Sequence, residues 1–122
     1  MKREVGVYDM GRMINPRLAQ SQITGGLLFG FSTALMEATV PDEKTGRVVN
    51  ANLAEYHVAV HADTPELHVD FVDKPDPHMP ELGARGIGEI GIVGAPAAVA
   101  NAIFNATGKR VRDLPITPDK LI

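Results

Sequence analysis

The sequence predicts an α+β fold in which two main helices pack on a small mixed or antiparallel sheet, and three observations carry that prediction. Leu67-His68-Val69-Asp70-Phe71 alternates strictly between apolar and polar residues, the period of a strand with one buried face. Asn15-Pro16 supplies an N-cap and a first-turn proline ahead of a long stretch spaced at three and four. A second apolar stretch of helical period stops at Gly108. A length of 122 residues holds one modest core, so residues 1–122 are expected to form a single unit.

The elements follow in chain order. Glu4 to Asp9 places Val5 and Val7 between polar or small neighbours, a short half-buried strand. The first helix is expected from Pro16 to Ala38, with Leu28, Phe31, Leu35 and Ala38 as its apolar stripe. Gly25, Gly26 and Gly30 lie inside it, where each costs about 1 kcal/mol relative to Ala, so something should approach that face closely. Residues 40–49 read as a hairpin around Gly46, and 50–60 carry no decisive period. Three prolines between Asp73 and Pro80 give an irregular connection into the glycine-rich segment 83–94. Pro96 should open the second helix, and the tail from Lys109 should lie extended over the surface.

Composition excludes several functions. Twelve Lys and Arg against fifteen Asp and Glu leave a net charge of −3 with no basic tract, which argues against nucleic acid as a partner. There is no cysteine, so no disulfide, thiolate metal site or iron-sulfur cluster can form within the chain. No stretch approaches the roughly 20 apolar residues that span a bilayer, so no membrane partner is expected, and the N-terminus shows no export signal.

Four clusters are candidates for chemistry. Gly86-Ile87-Gly88-Glu89-Ile90-Gly91 matches the G-x-G-x-x-G pattern, but a dinucleotide site requires a strand immediately before it, and residues 76–85 are polar and proline-rich. A tight turn before a helix is the plainer alternative. Glu89 is out of place in such a turn. A carboxylate among glycines beside an apolar helix start should be partly desolvated, which moves it toward a useful general base. Gln22, on the glycine-lined helix face, offers a donor and an acceptor to a ligand, or else bonds a loop. His57 and His61, with Asp63, His68 and Asp70 nearby, suggest a metal only if 57–61 is helical, and solvated histidines are commoner. Lys109, Arg110 and Arg112 resemble a phosphate hook, although cations are expected at a helix C-terminus from its dipole alone.

Taken in order, Asp9-Met10-Gly11, Ile14-Asn15-Pro16 with Gln22 and Gly25-Gly26, Arg85-Gly86-Ile87-Gly88-Glu89, and the run Ala97 to Pro115 resemble the C-terminal portion of the molybdenum-cofactor-binding subunit of the xanthine dehydrogenase and aldehyde oxidase family. The resemblance spans nearly the whole chain and is nearest to bacterial aldehyde oxidoreductases. It implies a fragment of a larger molybdopterin-binding domain in an oxidoreductase that hydroxylates aldehydes or aromatic heterocycles with water as oxygen source. It implies Glu89 as the catalytic general base and Gln22, Gly25, Gly26, Gly86 and Gly88 as cofactor contacts, with no metal ligand among them.

Molybdopterin, in its cytosine dinucleotide form, is the implied cofactor of the complete enzyme, with iron-sulfur centres and FAD on other subunits or domains and none bound by this chain alone. The implied partners are the remainder of the molybdenum subunit and the iron-sulfur and flavin subunits, with a homo-oligomer through exposed surfaces. The location is the cytoplasm, or the periplasm where a partner carries an export signal. The chain alone is expected to be inactive. The other classes open to it are a non-catalytic assembly module of such a complex and a dinucleotide-binding domain.

Overall fold

The computed structural model describes residues 1–122. Strand β1 (Arg3–Asp9) is followed by helix α1 (Pro16–Leu35), strand β2 (Glu66–Val72) and helix α2 (Ile90–Thr107). Short 3-10 turns cover His61–Asp63 and Pro118–Leu121. The α+β class with two main helices is as expected, but the two strands run parallel rather than antiparallel or mixed. Alternation fixes which residues share a face and is silent on direction. Here the chain leaves β1, runs through α1 and a long connection, and returns to the same end of the sheet, as parallel pairing requires.

The register sets Glu4, Gly6 and Tyr8 beside Leu67, Val69 and Phe71. These form the inner face, so the sidedness of β1 is the reverse of the Val5/Val7 reading. Val5 is 56% exposed and Val7 62%, whereas Glu4 and Gly6 are buried. Tyr8 accounts for the reversal, because its ring folds over Gly6, where a Cβ would come within 2.4 Å of it. Tyr8, Leu67, Val69 and Phe71 then pack on Ile23, Leu27 and Ala95, and a second cluster joins Phe31, Ala34 and Val99.

Asn15 caps α1, its Oδ1 accepting from Leu18 N at 3.1 Å. The helix ends three residues earlier than expected, where Ser32 O accepts from both Met36 N and Glu37 N. α2 begins at Ile90, six residues before Pro96, which therefore sits in its interior. The carbonyl that Pro96 leaves without a donor, that of Ile92, lies over Gly30, and a Cβ at Gly30 would be 3.1 Å from it. Gly26 and Gly91 meet where the helices cross, a Cβ on Gly26 coming within 2.9 Å of Gly91 Cα. With its earlier start, α2 is 18 uncharged residues and is long and apolar enough by length and composition to cross a membrane, contrary to the sequence expectation.

The 40–49 hairpin reduces to one antiparallel bridge, Pro41 to Val48, closed by Asp42 Oδ1 accepting from Lys44 N and Thr45 N. The tail is not merely superficial. Ile116 N donates to Ala34 O at 2.7 Å and the Ile116 side chain is buried at the end of α1. Two of the cations after α2 have partners within the chain. Arg110 stacks over the Phe104 ring at 3.8 Å and donates to Asn101 Oδ1, and Lys109 Nζ donates to Leu121 O.

Glu4 is the one misfit of the core. It is 7% exposed and neither carboxylate oxygen has a hydrogen-bond partner. Burial raises its pKa above the ordinary 4.5, and burial followed by the Glu4 charge raises that of the Tyr8 hydroxyl. A raised native pKa means that the stability associated with the protonated group is complete below pH 4.5 and is lost as pH rises through the native value. Glu4→Leu is therefore expected to raise stability at pH 7 by about 1–3 kcal/mol. Urea unfolding at pH 7 and pH 4.5 checks this, and the gain should shrink at the lower pH; an equal gain at both would show that the buried charge is not its source.

Candidate active site

The glycine-rich segment is stitched to the end of β1. Gly11 forms an antiparallel bridge with Ala84, Arg12 N donates to Gly83 O at 2.7 Å, and Arg85 N donates to Met10 O at 2.8 Å. Gly11 is obligatory here, since its φ is +66° and a Cβ would fall 2.2 Å from Gly83 O. Side chains reinforce the seam. Asp9 accepts from Gly11 N through Oδ1 at 2.9 Å and from Arg85 Nη1 through Oδ2 at 3.1 Å. Arg85 also donates from Nε and Nη2 to Asp76 Oδ2. The His78 backbone N–H and then Arg85 hold the Asp76 carboxyl below its usual range, and Asp76 and Asp9 raise the Arg85 guanidinium. This fork joins Asp9-Met10-Gly11 to Arg85-Gly86, two motifs that the sequence presented separately.

From that seam the chain runs through Gly86, Ile87 and Gly88 to Glu89, the N-cap residue of α2. Gln22 on α1 reaches across to it, its Nε2 donating to Gly88 O at 2.7 Å. A groove of about 290 Å³ lies between Met10, Leu18, Gln22, Ile87 and Gly88. Neither Gly86 nor Gly88 adopts the left-handed conformation, and a Cβ on either would meet nothing within 4 Å. Neither turn conformation nor packing within the chain calls for glycine at these positions, which counts against the plain tight turn. What their missing side chains leave is bare backbone open to a ligand, room that a Cβ would fill.

Glu89 is exposed and its side chain makes no capping bond. The partial desolvation expected from its glycine neighbours is absent, because the atoms around it in this chain leave it open to solvent. Of the other expected contacts, Gln22, Gly86 and Gly88 come together at the groove. Gly25 instead lines a separate groove of about 430 Å³ with Phe29, Ser32, Glu37 and Val58, and Gly26 lies at the helix crossing.

Placement bears on two further candidates. β2 ends at Val72, so no strand feeds the Gly86–Gly91 turn and the dinucleotide geometry does not form. His57 and His61 share no helix, His68 pairs with Glu66 at 2.8 Å, and no group of three His, Asp or Glu is placed to hold a metal ion. Sequence reasoning missed the Asp9–Arg85–Asp76 fork. Its signal was present in the opposite charges of Asp9 and Arg85, each adjoining a glycine-containing motif.

The profile of the molybdopterin cofactor-binding domain matches residues 1–65, more than half of the chain. The chain belongs to that family, and its fold matches one segment of larger molybdenum-binding subunits. It is 47% identical over all of its 122 residues to the aldehyde oxidoreductase molybdenum-binding subunit PaoC of Escherichia coli (strain K12), and covers 17% of that protein. It is 37% identical over 121 residues, 99% of the chain, to the xanthine dehydrogenase molybdenum-binding subunit of Escherichia coli O157:H7, covering 16% of it. The crystal structure of quinoline 2-oxidoreductase from Pseudomonas putida 86 superposes with a TM-score of 0.84 at 31% identity, over 95% of this chain and 15% of that one. The chain thus spans about one sixth of the relatives it matches, and the oxidoreductase class is common to all three.

Proposed function

We propose that this chain is the part of a molybdenum hydroxylase that supplies the general base, Glu89, and one wall of the cofactor groove. The observation that carries the reading is the open backbone at Gly86 and Gly88 beside a free Glu89 carboxylate and the Gln22 amide. The donor set suits a pterin, with bare main-chain amides, one amide side chain and no competing metal ligands. When bound, the cofactor supplies the redox chemistry that moves two electrons from an aldehyde or an N-heterocycle.

The residues of this chain do the rest. Glu89 accepts a proton at its carboxylate, Gln22 presents Oε1 to a donor on the bound group, and the Arg85 fork holds the glycine loop to β1. A base of this kind needs a water-poor setting, which the remainder of the subunit provides by covering the groove. Exposed Val5, Val7, Phe29 and Val93, the last 78% exposed, offer that remainder its seat. The cytosine dinucleotide form of molybdopterin, and iron-sulfur and flavin subunits as electron acceptors, complete the reading. A chain without cysteine cannot ligate the clusters itself.

The test is co-expression of this chain with the rest of such a subunit, followed by measurement of bound molybdenum and of oxidation of an aromatic aldehyde and an N-heterocycle. Turnover that requires the chain is the expected result. Molybdenum retained with turnover of neither substrate would favour an assembly module, and NAD bound by the chain alone would overturn the reading outright.

A further inference from the structure

The bond from Gln22 Nε2 to Gly88 O joins segments 66 residues apart. That oxygen belongs to the peptide unit linking Gly88 to Glu89, so its direction sets the plane from which the Glu89 main chain departs. A carbonyl oxygen only accepts, which fixes the Gln22 amide with Nε2 on the loop and Oε1 turned away. No other side chain bonds residues 86–89, and the Glu89 side chain makes no bond of its own. The stretch carries two glycines at which a Cβ would meet nothing within 4 Å, so its backbone has wide freedom apart from this anchor.

We propose that Gln22 is the positioning residue for the base: its amide N–H holds the Gly88 carbonyl and so fixes where the Glu89 carboxylate stands, a task separate from any contact with cofactor. The catalytic consequence rests on the reading of Glu89 as base; the clasp itself does not. Gln is suited to this role because it donates to the loop and still keeps a free acceptor. Glutamate at the same position has the same reach, yet when ionised it cannot donate and would repel the carbonyl oxygen.

Protonation therefore gives a test that a merely space-filling role would not pass. Amide hydrogen exchange is followed in this chain at Arg85 and Ile92, whose bonds to Met10 O and Glu89 O close the two ends of the loop, with amides in the middle of α2 as reference. At pH 7 both loop amides should exchange about fivefold faster, relative to the reference, in Gln22→Ala and in Gln22→Glu, the loss expected for one hydrogen bond. At about pH 3.5 the Gln22→Glu chain should return to native protection measured at that pH, since a protonated carboxyl again has an O–H to give, while Gln22→Ala should not.

Unchanged ratios at pH 7, or no recovery at low pH, would overturn the proposal. A rise of the α2 reference by the same factor would show general loss of fold and overturn it equally. In the assembled subunit both variants should lower kcat by about tenfold or more with KM unchanged, and the Gln22→Glu deficit should narrow as pH falls. Full turnover by Glu89→Gln would remove the base assignment while leaving the exchange result standing, so the two failures are distinguishable.

Discussion

In the assembled subunit, Glu89→Gln is expected to lower kcat by about 10²- to 10⁴-fold, the share that a positioned general base contributes. The substitution is nearly isosteric and disturbs little. The Glu89 side chain makes no capping bond, its backbone carbonyl still accepts from Ile92 N at 3.1 Å, and the Gln22 clasp grips Gly88 rather than Glu89. The fold and cofactor content should therefore be retained, and the loss should fall on kcat with KM little changed. Steady-state assays on protein matched for molybdenum content check this. A loss smaller than about tenfold would mean that the proton is taken elsewhere.

Gly26→Ala and Gly25→Ala are expected to change stability in opposite directions although the residues are neighbours. A Cβ on Gly26 would lie 2.9 Å from Gly91 Cα, 3.0 Å from Gly91 C and 3.2 Å from Ile92 N. All three are main-chain atoms, so no rotamer change relieves the overlap and the helices must part, at about 1–3 kcal/mol. A Cβ on Gly25 meets nothing within 4 Å, so Ala there should gain most of the helix-propensity difference, about 0.5–1 kcal/mol. Chemical denaturation of the two variants beside the native chain decides it, and the same sign for both would remove the crossing as the reason for glycine. Gly91 lies two residues from Glu89, so Gly26→Ala should also lower turnover in the assembled enzyme without touching the groove.

What could be read from the sequence was local chemistry. The Asn15 cap, the Pro16 start and the Gly108 stop of the helices each act within one turn, and each stands where expected. Of the cofactor contacts implied by the resemblance, Gln22, Gly86 and Gly88 meet at one groove while Gly25 and Gly26 lie away from it, and the bond from Gln22 to Gly88 was not legible in the sequence. The misreadings concern relations between distant segments. Val5 and Val7 looked inward because alternation cannot say which face is buried, and the ring of Tyr8 over Gly6 decided it. Pro96 reads as a helix start because proline suits the first turn, and the sequence does not show that Gly30 lies against the carbonyl it frees. The open setting of Glu89 follows from which atoms of the chain come near it, and nothing in residues 86–91 encodes that.

The seam that joins residues 9–12 to 83–85 has a bearing on how the molecule acquires its function. Its bonds close a loop of more than seventy residues, and the Gln22 bond closes one nearly as long. Such closures carry a large entropic cost before any contact offsets it, and so they form after the local helices. The groove is therefore expected to form late in folding. Neither motif can display it as a separate peptide, and a nascent chain lacks it until residues 83–89 have emerged, because its two walls come from segments 66 residues apart.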